Sequence, residues 1–212
     1  AFESLMSVGL NKRIFKHIKE KAVEATQKLA KERGPCPDFI EYQSRSLDNA
    51  YDIPARNSNL MAVAPNASSS ILLDTSPSIE PIRANVYREE GSSGIFMKRN
   101  KHLEKLLESK SKNTSEVWSD IIAHDGSVQH LKFLEDWEKA VFKTAIEIDQ
   151  KWVLQHAADR QEYIDQAQSL NLFFSPSASI EYISYIHLLA WKMKIKTLYY
   201  FRSDTVSKAA KL

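Results

Sequence analysis

The sequence has a single cysteine, only five glycines and no long apolar run among its 212 residues. The single cysteine, Cys36, excludes a disulfide framework and a cysteine-based zinc site. With so few glycines, a glycine-rich nucleotide-binding loop is not expected. The longest apolar stretch lies near residues 180–193 and is interrupted by polar and charged residues. It falls far short of the roughly 20 residues that span a bilayer, so no membrane partner is expected.

An excess of charge of one sign is also missing. The chain has 29 Lys+Arg and 27 Asp+Glu, which gives a formal net charge of +2. This near-neutral balance argues against nucleic-acid binding as the main function. Hydrophobic residues make up 43% and charged residues 26%, values typical of a globular protein and unlike a disordered one. The length fits one domain with a sizeable core.

Hydrophobic periodicity predicts an α/β protein that is rich in helices. The predicted helices cover residues 2–32, 97–107, 114–123, 135–159 and 178–194, and the last of these is expected to be buried on nearly all sides. The predicted strands cover residues 59–64, 168–174 and 196–201, with a loop at 38–58 and a tight turn between Gly91 and Gly94. The strand–helix–strand order at the end indicates a parallel arrangement.

A cluster of small hydrogen-bonding residues follows the first predicted strand and Pro65. Its sequence is Asn66-Ala67-Ser68-Ser69-Ser70. Such residues at the start of a helical turn expose backbone N–H groups and hydroxyls, which suit a phosphate. The Gly-Lys pair of a P-loop is missing, so amides and hydroxyls would hold the anion. The alternative is a serine-rich turn or helix cap that binds nothing.

Three further features have a structural and a functional interpretation. Tyr199 and Tyr200 are adjacent on a predicted strand, where alternation would make one a core residue and the other a surface residue. His156 and Asp159 share a helix face, as two metal ligands would, but without a third ligand nearby a solvated face is favoured. Cys36 has no basic neighbour that would activate it, which favours a structural thiol.

Five blocks of sequence carry a family resemblance, and their order and spacing extend through almost the whole chain. The blocks are residues 56–70, Ser78-Ile79-Glu80-Pro81, residues 157–161, residues 166–172, and residues 190–200 from Ala190-Trp191 to Tyr199-Tyr200. Together they strongly resemble the C-terminal part of the large subunit of class I ribonucleotide reductase. One departure is Lys194, which stands where the family commonly has a glycine that ends a helix.

The resemblance implies the C-terminal part of a ten-stranded α/β barrel. It also implies thiyl-radical reduction of ribonucleoside diphosphates to deoxyribonucleoside diphosphates for DNA synthesis. The family's catalytic cysteines, its asparagine and glutamate partners and its allosteric sites lie upstream of this segment, and Cys36 matches none of them. We therefore expect residues 1–212 to be a single segment, incomplete at its N-terminus, in keeping with a first residue that is Ala1 rather than Met.

Two functions of the family map onto this segment. Residues 66–70 match the loop that binds the substrate diphosphate. Tyr199 and Tyr200 match the stacked tyrosine pair that relays the radical, Tyr199 being nearer the thiyl cysteine and Tyr200 nearer the subunit interface. Phenols suit this role because they pass a proton together with the electron. Stacking also requires that the strand be irregular there.

The resemblance implies partners but no cofactor bound by this segment, because the family's radical-generating metal centre sits in the separate small subunit. The implied partners are the N-terminal remainder of the large subunit, the small subunit, a ribonucleoside diphosphate, and thioredoxin or glutaredoxin. The last two act through tail cysteines that this sequence lacks. A cytoplasmic homodimer is expected when the subunit is complete. The alternative function is a non-catalytic split-gene remnant that only docks to another reductase piece.

Overall fold

The computed structural model describes residues 1–45, 54–73, 75–76, 78–91 and 94–203. About half of these residues are helical, and a few short strands are present. The helices are α1 Leu5–Arg33, α2 Pro37–Arg45, α3 Ala67–Leu73, α4 Lys101–Ser109, α5 Ser115–Ala123, α6 Asp136–Val141, α7 Gln150–Gln161 and α8 Ile180–Lys192. The strands are β1 Val86–Gly91, β2 Gly94–Arg99, β3 Leu172–Phe174 and β4 Phe201–Ser203. Among the described residues, none of the helices combines the length and the apolar character needed to cross a membrane.

The strands form one hairpin and one parallel pair. β1 and β2 are antiparallel, with Val86 opposite Arg99. β3 and β4 are parallel, with Leu172 opposite Phe201, and α8 connects them, which confirms the predicted parallel arrangement at the end of the chain. A parallel bridge between Val63 and Gln168 adds a third segment beside β3. Residues 61–63, 166–174 and 199–203 therefore run side by side.

Two hydrophobic clusters form the core. The first lies between the hairpin and α4 and α5, and its fully buried members include Leu103, Leu107, Ile121 and Val128. The second lies between α7, α8 and β3, and its fully buried members include Leu154, Leu170 and Ile186. The three parallel segments therefore rest on the second cluster.

Gln150, the first residue of α7, ties this second cluster together. Its side-chain Nε2 donates to the backbone oxygens of Ala145 (3.0 Å) and Ile148 (2.8 Å), and its Oε1 accepts from the backbone N–H of Phe173 (2.9 Å). The side chain is almost completely buried, so no water replaces these bonds. A single amide therefore fixes β3 against the start of α7.

Glycines end two helical segments where the sequence predicts an end. Gly34 follows α1 with φ 80°, and Gly126 closes the turn after α5 with φ 80°. A Cβ at Gly126 would lie 2.5 Å from the Cβ of Ala84, so this position needs a glycine for both its conformation and its packing. At the end of α8, Lys194 takes φ 57°. The non-glycine residue therefore adopts the conformation that the family's glycine would supply.

Several predicted elements are wrong in type or extent. The predicted loop at 38–58 contains α2, residues 46–53 lying outside the described part. The predicted strand at 59–64 is reduced to the bridge at Val63, and the predicted helix at 97–107 is divided between β2 and α4. The final strand begins at Phe201, after the tyrosine pair. The turn between Gly91 and Gly94 does connect β1 to β2, although its two central residues lie outside the described part.

The predicted helix at 135–159 is split into α6 and α7 by a turn. The backbone N–H of Ala145 bonds to the oxygen of Ile82 (2.7 Å), and the carboxylate of Glu147 accepts from the N–H of Thr144 (2.8 Å). Asp149 then restarts the helix, since its side chain accepts from the N–H of Lys151 (3.1 Å) as an N-cap does. Local capping and one distant contact thus override the helical period.

Helix α8 is apolar nearly all round, as predicted, but only one of its faces is buried in this chain. Ile186 and Ala190 pack into the second cluster. Other apolar side chains are exposed, with Ile180 at 78% and Trp191 at 75%. An apolar face of this size is typical of an interface.

Candidate functional site

Tyr199 and Tyr200 lie side by side just before β4. The hydroxyl of Tyr199 donates to the hydroxyl of Tyr200 at 3.1 Å, and the ring centroids are 4.0 Å apart at an interplanar angle of 46°. This hydrogen bond raises the pKa of Tyr199, because the donor holds its proton more firmly. The guanidinium of Arg202 lies 4.7 Å from the centroid of the Tyr200 ring. The two phenols thus form a directly connected pair.

The pair depends on an irregular backbone. The N–H of Tyr199 donates to the oxygen of Leu170 (2.8 Å), and the oxygen of Tyr200 accepts from the N–H of Leu172 (3.0 Å). Consecutive side chains on a regular strand point to opposite faces, but here both rings lie together. One core and one surface tyrosine would differ in exposure, whereas these two are 52% and 49% exposed. The interpretation as an ordinary strand pair is therefore wrong for this chain.

Asn171 and Glu80 hold the backbone at the pair. The side-chain oxygen of Asn171 accepts from the N–H of Tyr200 (3.1 Å). The carboxylate of Glu80 in turn accepts from the backbone N–H of Asn171 (2.7 Å) and from its side-chain Nδ2 (3.0 Å). Since every polar group of the Asn171 side chain is engaged, its orientation is fixed. Glu80 and Asn171 therefore position Tyr200 without touching its ring.

A buried arginine lies behind this network. Arg160 on α7 is 2% exposed, and its Nε donates to Oε1 of Gln168 at 2.6 Å. Burial lowers the pKa of Arg160 to about 10, against the opposing effect of the negative charge of Glu80. Its Nη1 is buried and has no hydrogen-bond partner among the described residues. Arg160 therefore remains a buried cation, and the negative charge of Glu80 favours this charged form.

The predicted phosphate turn opens helix α3. Asn66 precedes the helix, its backbone oxygen accepts from the N–H of Ser70 (2.9 Å), and its side-chain Nδ2 donates to the oxygen of Ala64 (3.1 Å). Ser68 and Ser69 are exposed, whereas Ser70 is buried. The first N–H groups of a helix have no partner within it. Ser68 and Ser69 are therefore exposed to solvent in the first turn of α3, where backbone N–H groups have no partner within the helix.

Asp165 fixes the segment that leads into this turn. Its carboxylate accepts from the backbone N–H groups of Leu60 (2.6 Å) and Met61 (3.2 Å) and forms an ion pair with Lys19 of α1. Partial burial disfavours the charged carboxylate. The hydrogen bonds from Lys19 and from the two amides outweigh this effect and lower the pKa of Asp165. The charged form is therefore the one that stabilises the fold.

We expect Asp165→Asn to lower the free energy of unfolding by about 1 kcal/mol at neutral pH. A carboxyl group whose pKa is lowered by folding contributes stability above its unfolded pKa, near 3.8, and loses it as the pH falls through the folded pKa. The difference between parent and variant should therefore shrink below pH 3.8. Urea denaturation over a pH series measures it. Asp125→Asn, at an exposed carboxylate, is the control, and a pH-independent difference would contradict the assignment.

One backbone segment joins the two candidate regions. Val63 bonds to the backbone of Ala167 (N–H to oxygen, 3.2 Å) and of Ser169 (oxygen to N–H, 2.8 Å) on one side of residues 166–172. Tyr199 and Tyr200 bond to the other side. Val63 and Gln168 are paired in a parallel bridge. Asn66 lies three residues after Val63, and Asn171 lies three residues after Gln168. The turn and the tyrosine pair thus flank the same stretch of chain.

The structure also places the three other residues considered from the sequence, Cys36, His156 and Asp159. Cys36 is buried, as expected of a structural thiol. His156 is buried rather than solvated, and its Nε2 lies 3.0 Å from the oxygen of Phe2 and 3.2 Å from Oγ of Ser7. The solvated face predicted for His156 is therefore wrong. Asp159 instead accepts from Nε2 of Gln155 at 2.9 Å.

Glu80 and Asn171 are site residues that the sequence does not single out. They are 91 positions apart in the chain, and no local spacing connects them. Both lie inside blocks that carry the family resemblance, and that is the signal available for finding them.

Comparisons with known proteins identify the family. A family model described as "Ribonucleotide reductase, barrel domain" matches residues 47–201. This is most of the chain, which therefore belongs to the ribonucleotide reductase barrel-domain family. The resemblance and the fold class expected from the sequence are confirmed: the chain is a helix-rich part of that barrel.

Three relatives show how far the similarity extends. The ribonucleoside-diphosphate reductase large subunit of Invertebrate iridescent virus 3 is 46% identical over 208 residues, which cover 96% of this chain and 31% of that protein. The large subunit of Danio rerio is 35% identical over 224 residues, covering 95% and 28%. Among solved structures, the Actinobacillus ureae class Id ribonucleotide reductase alpha subunit superposes with a TM-score of 0.85 at 38% identity, covering 100% of this chain and 37% of that one. The chain thus spans about a third of the length of these relatives.

Proposed function

We propose that this chain acts as part of a ribonucleoside-diphosphate reductase large subunit, which reduces ribonucleoside diphosphates to deoxyribonucleoside diphosphates by thiyl-radical chemistry for DNA synthesis. The observation that carries the proposal is the tyrosine pair, whose hydroxyls are 3.1 Å apart. The names of the large-subunit relatives support the same activity. Within the subunit, residues 1–212 form one segment of the catalytic barrel.

In this proposal the tyrosine pair is the radical relay. The small subunit oxidises Tyr200, and at the other end of the relay the Tyr199 radical takes a hydrogen atom from the cysteine. Between these two steps the Tyr200 phenoxyl radical takes an electron and a proton together from Tyr199. The hydrogen bond between the two hydroxyls provides the path for that proton, so no net charge is left on a ring. Glu80 and Asn171 act as positioning residues, because they hold the backbone of Tyr200 and touch neither phenol oxygen. The metal centre that generates the radical belongs to the separate small subunit.

The turn at Asn66–Ser70 is the proposed diphosphate site. The amides that open α3 and the hydroxyls of Ser68 and Ser69 would donate to the phosphate oxygens. Hydrogen bonds to a charged group are stronger than those between neutral groups. Because the turn has no lysine, several amide and hydroxyl donors rather than one positive charge would hold the substrate.

We expect the double variant Ser68→Ala with Ser69→Ala to raise the KM for the diphosphate substrate in the complete enzyme. Each lost hydroxyl bond should weaken binding by at most about 1.5–3 kcal/mol, and by less where backbone amides dominate. Steady-state kinetics with CDP provides the measurement. Ser109→Ala on α4 is the control, and an unchanged KM in the double variant would move the site elsewhere.

The isolated chain should be inactive. Its single cysteine, Cys36, is buried and matches no catalytic cysteine of the family, so the hydrogen-abstracting thiol must come from another part of the subunit. Incubating the 212-residue chain with a small subunit and CDP should therefore give no deoxycytidine diphosphate. Product formation under these conditions would contradict the proposal that the hydrogen-abstracting thiol lies in another part of the subunit.

Reconstitution distinguishes this function from a docking role without catalysis. The exposed apolar face of α8, which includes Trp191, fits a docking surface under either hypothesis. Co-expression with the N-terminal remainder of a large subunit, followed by addition of the small subunit and a thioredoxin or glutaredoxin system, tests for turnover. Restored CDP reduction supports the enzymatic function. A stable complex without turnover supports the alternative, a non-catalytic remnant that only docks to another reductase piece.

A further inference from the structure

A cluster of one carboxylate and two imidazoles lies at the end of α5, far along the chain from the tyrosine pair and the phosphate turn. Oδ1 of Asp120 lies 3.3 Å from Nδ1 of His124, and Oδ2 lies 3.1 Å from Nε2 of His130. The two rings are stacked, with centroids 3.6 Å apart and an interplanar angle of 14°. One ligand atom from each of the three residues lies within 4.8 Å of the other two.

Backbone hydrogen bonds and buried side chains hold the segment that carries this cluster. Asp120 and His124 are one helical turn apart, and the turn that follows closes at Gly126, whose N–H donates to the oxygen of Ile121 (2.9 Å). His130 lies between two buried anchors, Val128 and Leu131. The three side chains are therefore brought together by the fold itself, before any ligand binds. The stacked rings must still rotate to share an ion, because a metal lies in the plane of each imidazole that binds it.

The distances suit a small divalent transition-metal ion. Zinc binds histidine nitrogens and carboxylate oxygens at about 2.0–2.2 Å in tetrahedral geometry, which places adjacent ligand atoms roughly 3.3 Å apart. The separation between Nδ1 of His124 and Oδ1 of Asp120 and that between Nε2 of His130 and Oδ2 of Asp120 are close to this value, and they involve different oxygens of the carboxylate. Two nitrogens and one oxygen also form a ligand set that zinc prefers to magnesium or calcium, since those ions take mainly oxygen ligands.

The surroundings favour a cation. The cluster lies at the C-terminal end of α5, where the helix dipole places partial negative charge, and Asp120 adds a full negative charge. The pair His124 and Asp120 is half exposed, and His130 is 23% exposed, so an ion can reach the cluster from solvent. Nε2 of His130 is the ring nitrogen beside Asp120. Nδ1 is buried without a hydrogen-bond partner among the described residues and carries the ring proton when a metal binds Nε2.

We propose that Asp120, His124 and His130 form a zinc-binding site that links the C-terminal end of α5 to the turn before Leu131. Nδ1 of His124, Nε2 of His130 and one carboxylate oxygen of Asp120 are the ligands, and water completes the tetrahedron. Nδ1 of His124 now lies 2.8 Å from the backbone oxygen of Asp120. When the metal binds there, the neutral ring carries its proton on Nε2 instead. The site is structural and lies outside the proposed radical chemistry.

Titration of the complete 212-residue chain with zinc chloride tests the proposal. Isothermal titration calorimetry should show one tightly bound equivalent, and cobalt chloride should give the intense visible absorption of a tetrahedral site. Asp120→Asn, His124→Asn and His130→Asn should each weaken zinc binding at least about tenfold, since even the loss of an outer-shell partner weakens metal sites by about that factor. Zinc should raise the melting temperature of the parent and not of these variants.

The matched control is His102→Asn, which removes an exposed histidine from α4. It should leave the zinc affinity unchanged. Asp120 and His124 are exposed, so their variants remain informative if His130→Asn unfolds. The proposal is overturned if the double variant Asp120→Asn with His124→Asn binds zinc as tightly as the parent, or if His102→Asn weakens binding as much as the cluster variants do. An octahedral cobalt spectrum would overturn it as well.

Discussion

Tyr199→Phe and Tyr200→Phe are each expected to nearly abolish turnover in the complete reductase while leaving folding, substrate binding and small-subunit binding near normal. Phenylalanine keeps almost all of the volume and apolar surface of tyrosine, so a purely structural pair would tolerate it. A relay would not, because phenylalanine has no phenolic proton to lose and is far harder to oxidise. The measurement is the rate of CDP reduction, with KM and subunit affinity determined in parallel.

Tyr185→Phe is the matched control for these two variants. Tyr185 is an exposed tyrosine of α8, and its substitution removes a phenol without touching the pair. We expect it to turn over at the parent rate. If both Tyr199→Phe and Tyr200→Phe also kept the parent rate, the relay assignment would be wrong and the pair would have only a structural role.

Gln150→Leu is expected to destabilise the chain strongly, and more than Asp165→Asn. Leucine fills a similar volume but leaves three buried backbone groups without partners: the oxygens of Ala145 and Ile148 and the N–H of Phe173. Each unsatisfied group costs about 1–3 kcal/mol, so the loss of all three bonds should lower the free energy of unfolding by at least about 3 kcal/mol. Urea denaturation followed by circular dichroism measures this change.

Gln155→Leu in the same helix is the control for this effect. The Gln155 side chain donates to Asp159, an acceptor that also lies near Lys12. Its loss should change the unfolding free energy by less than about 1 kcal/mol. Equal destabilisation by the two variants would show that leucine in α7, rather than the loss of the buried hydrogen bonds, is responsible.

Elements with strong local signals can be predicted from the sequence. The sequence predicts that α1 ends at Gly34 and that Gly126 stops α5, and both glycines take the positive φ that ends a helix. Helix α5 begins one residue later than the predicted start at Thr114, because Thr114 caps the helix and accepts from the N–H of Val117 (3.4 Å). The parallel order of β3 and β4 follows from the alternation of strand and helix.

Elements that depend on distant contacts cannot be predicted in this way. Strand β2 contains Met97, Lys98 and Arg99, residues that favour helices, and it is extended because it pairs with β1. The interruption of the predicted helix at 135–159 depends on a bond from Ala145 to Ile82, which no periodicity reveals. Tertiary pairing decides the structure where local preference is weak or misleading.

The same distinction between local signals and distant contacts applies to the candidate site. The phosphate turn can be proposed from residue types alone, because small polar residues after a strand have a direct chemical meaning. The tyrosine pair cannot, since strand alternation predicts that its members separate, and only the family resemblance indicates otherwise. Glu80 is a further case, because its importance depends on a contact with Asn171 that the fold creates.

The end of helix α8 bears on how this protein tolerates sequence change. Lys194 takes a conformation that glycine prefers, yet the turn is held from outside: Gln161 donates to the oxygen of Lys194 (2.6 Å) and accepts from the N–H of Lys196 (2.9 Å). The geometry of the turn therefore does not rely on the identity of residue 194. A non-glycine residue can therefore occupy this position at a modest loss of stability, while Tyr199 and Tyr200, a few residues further on, keep their place.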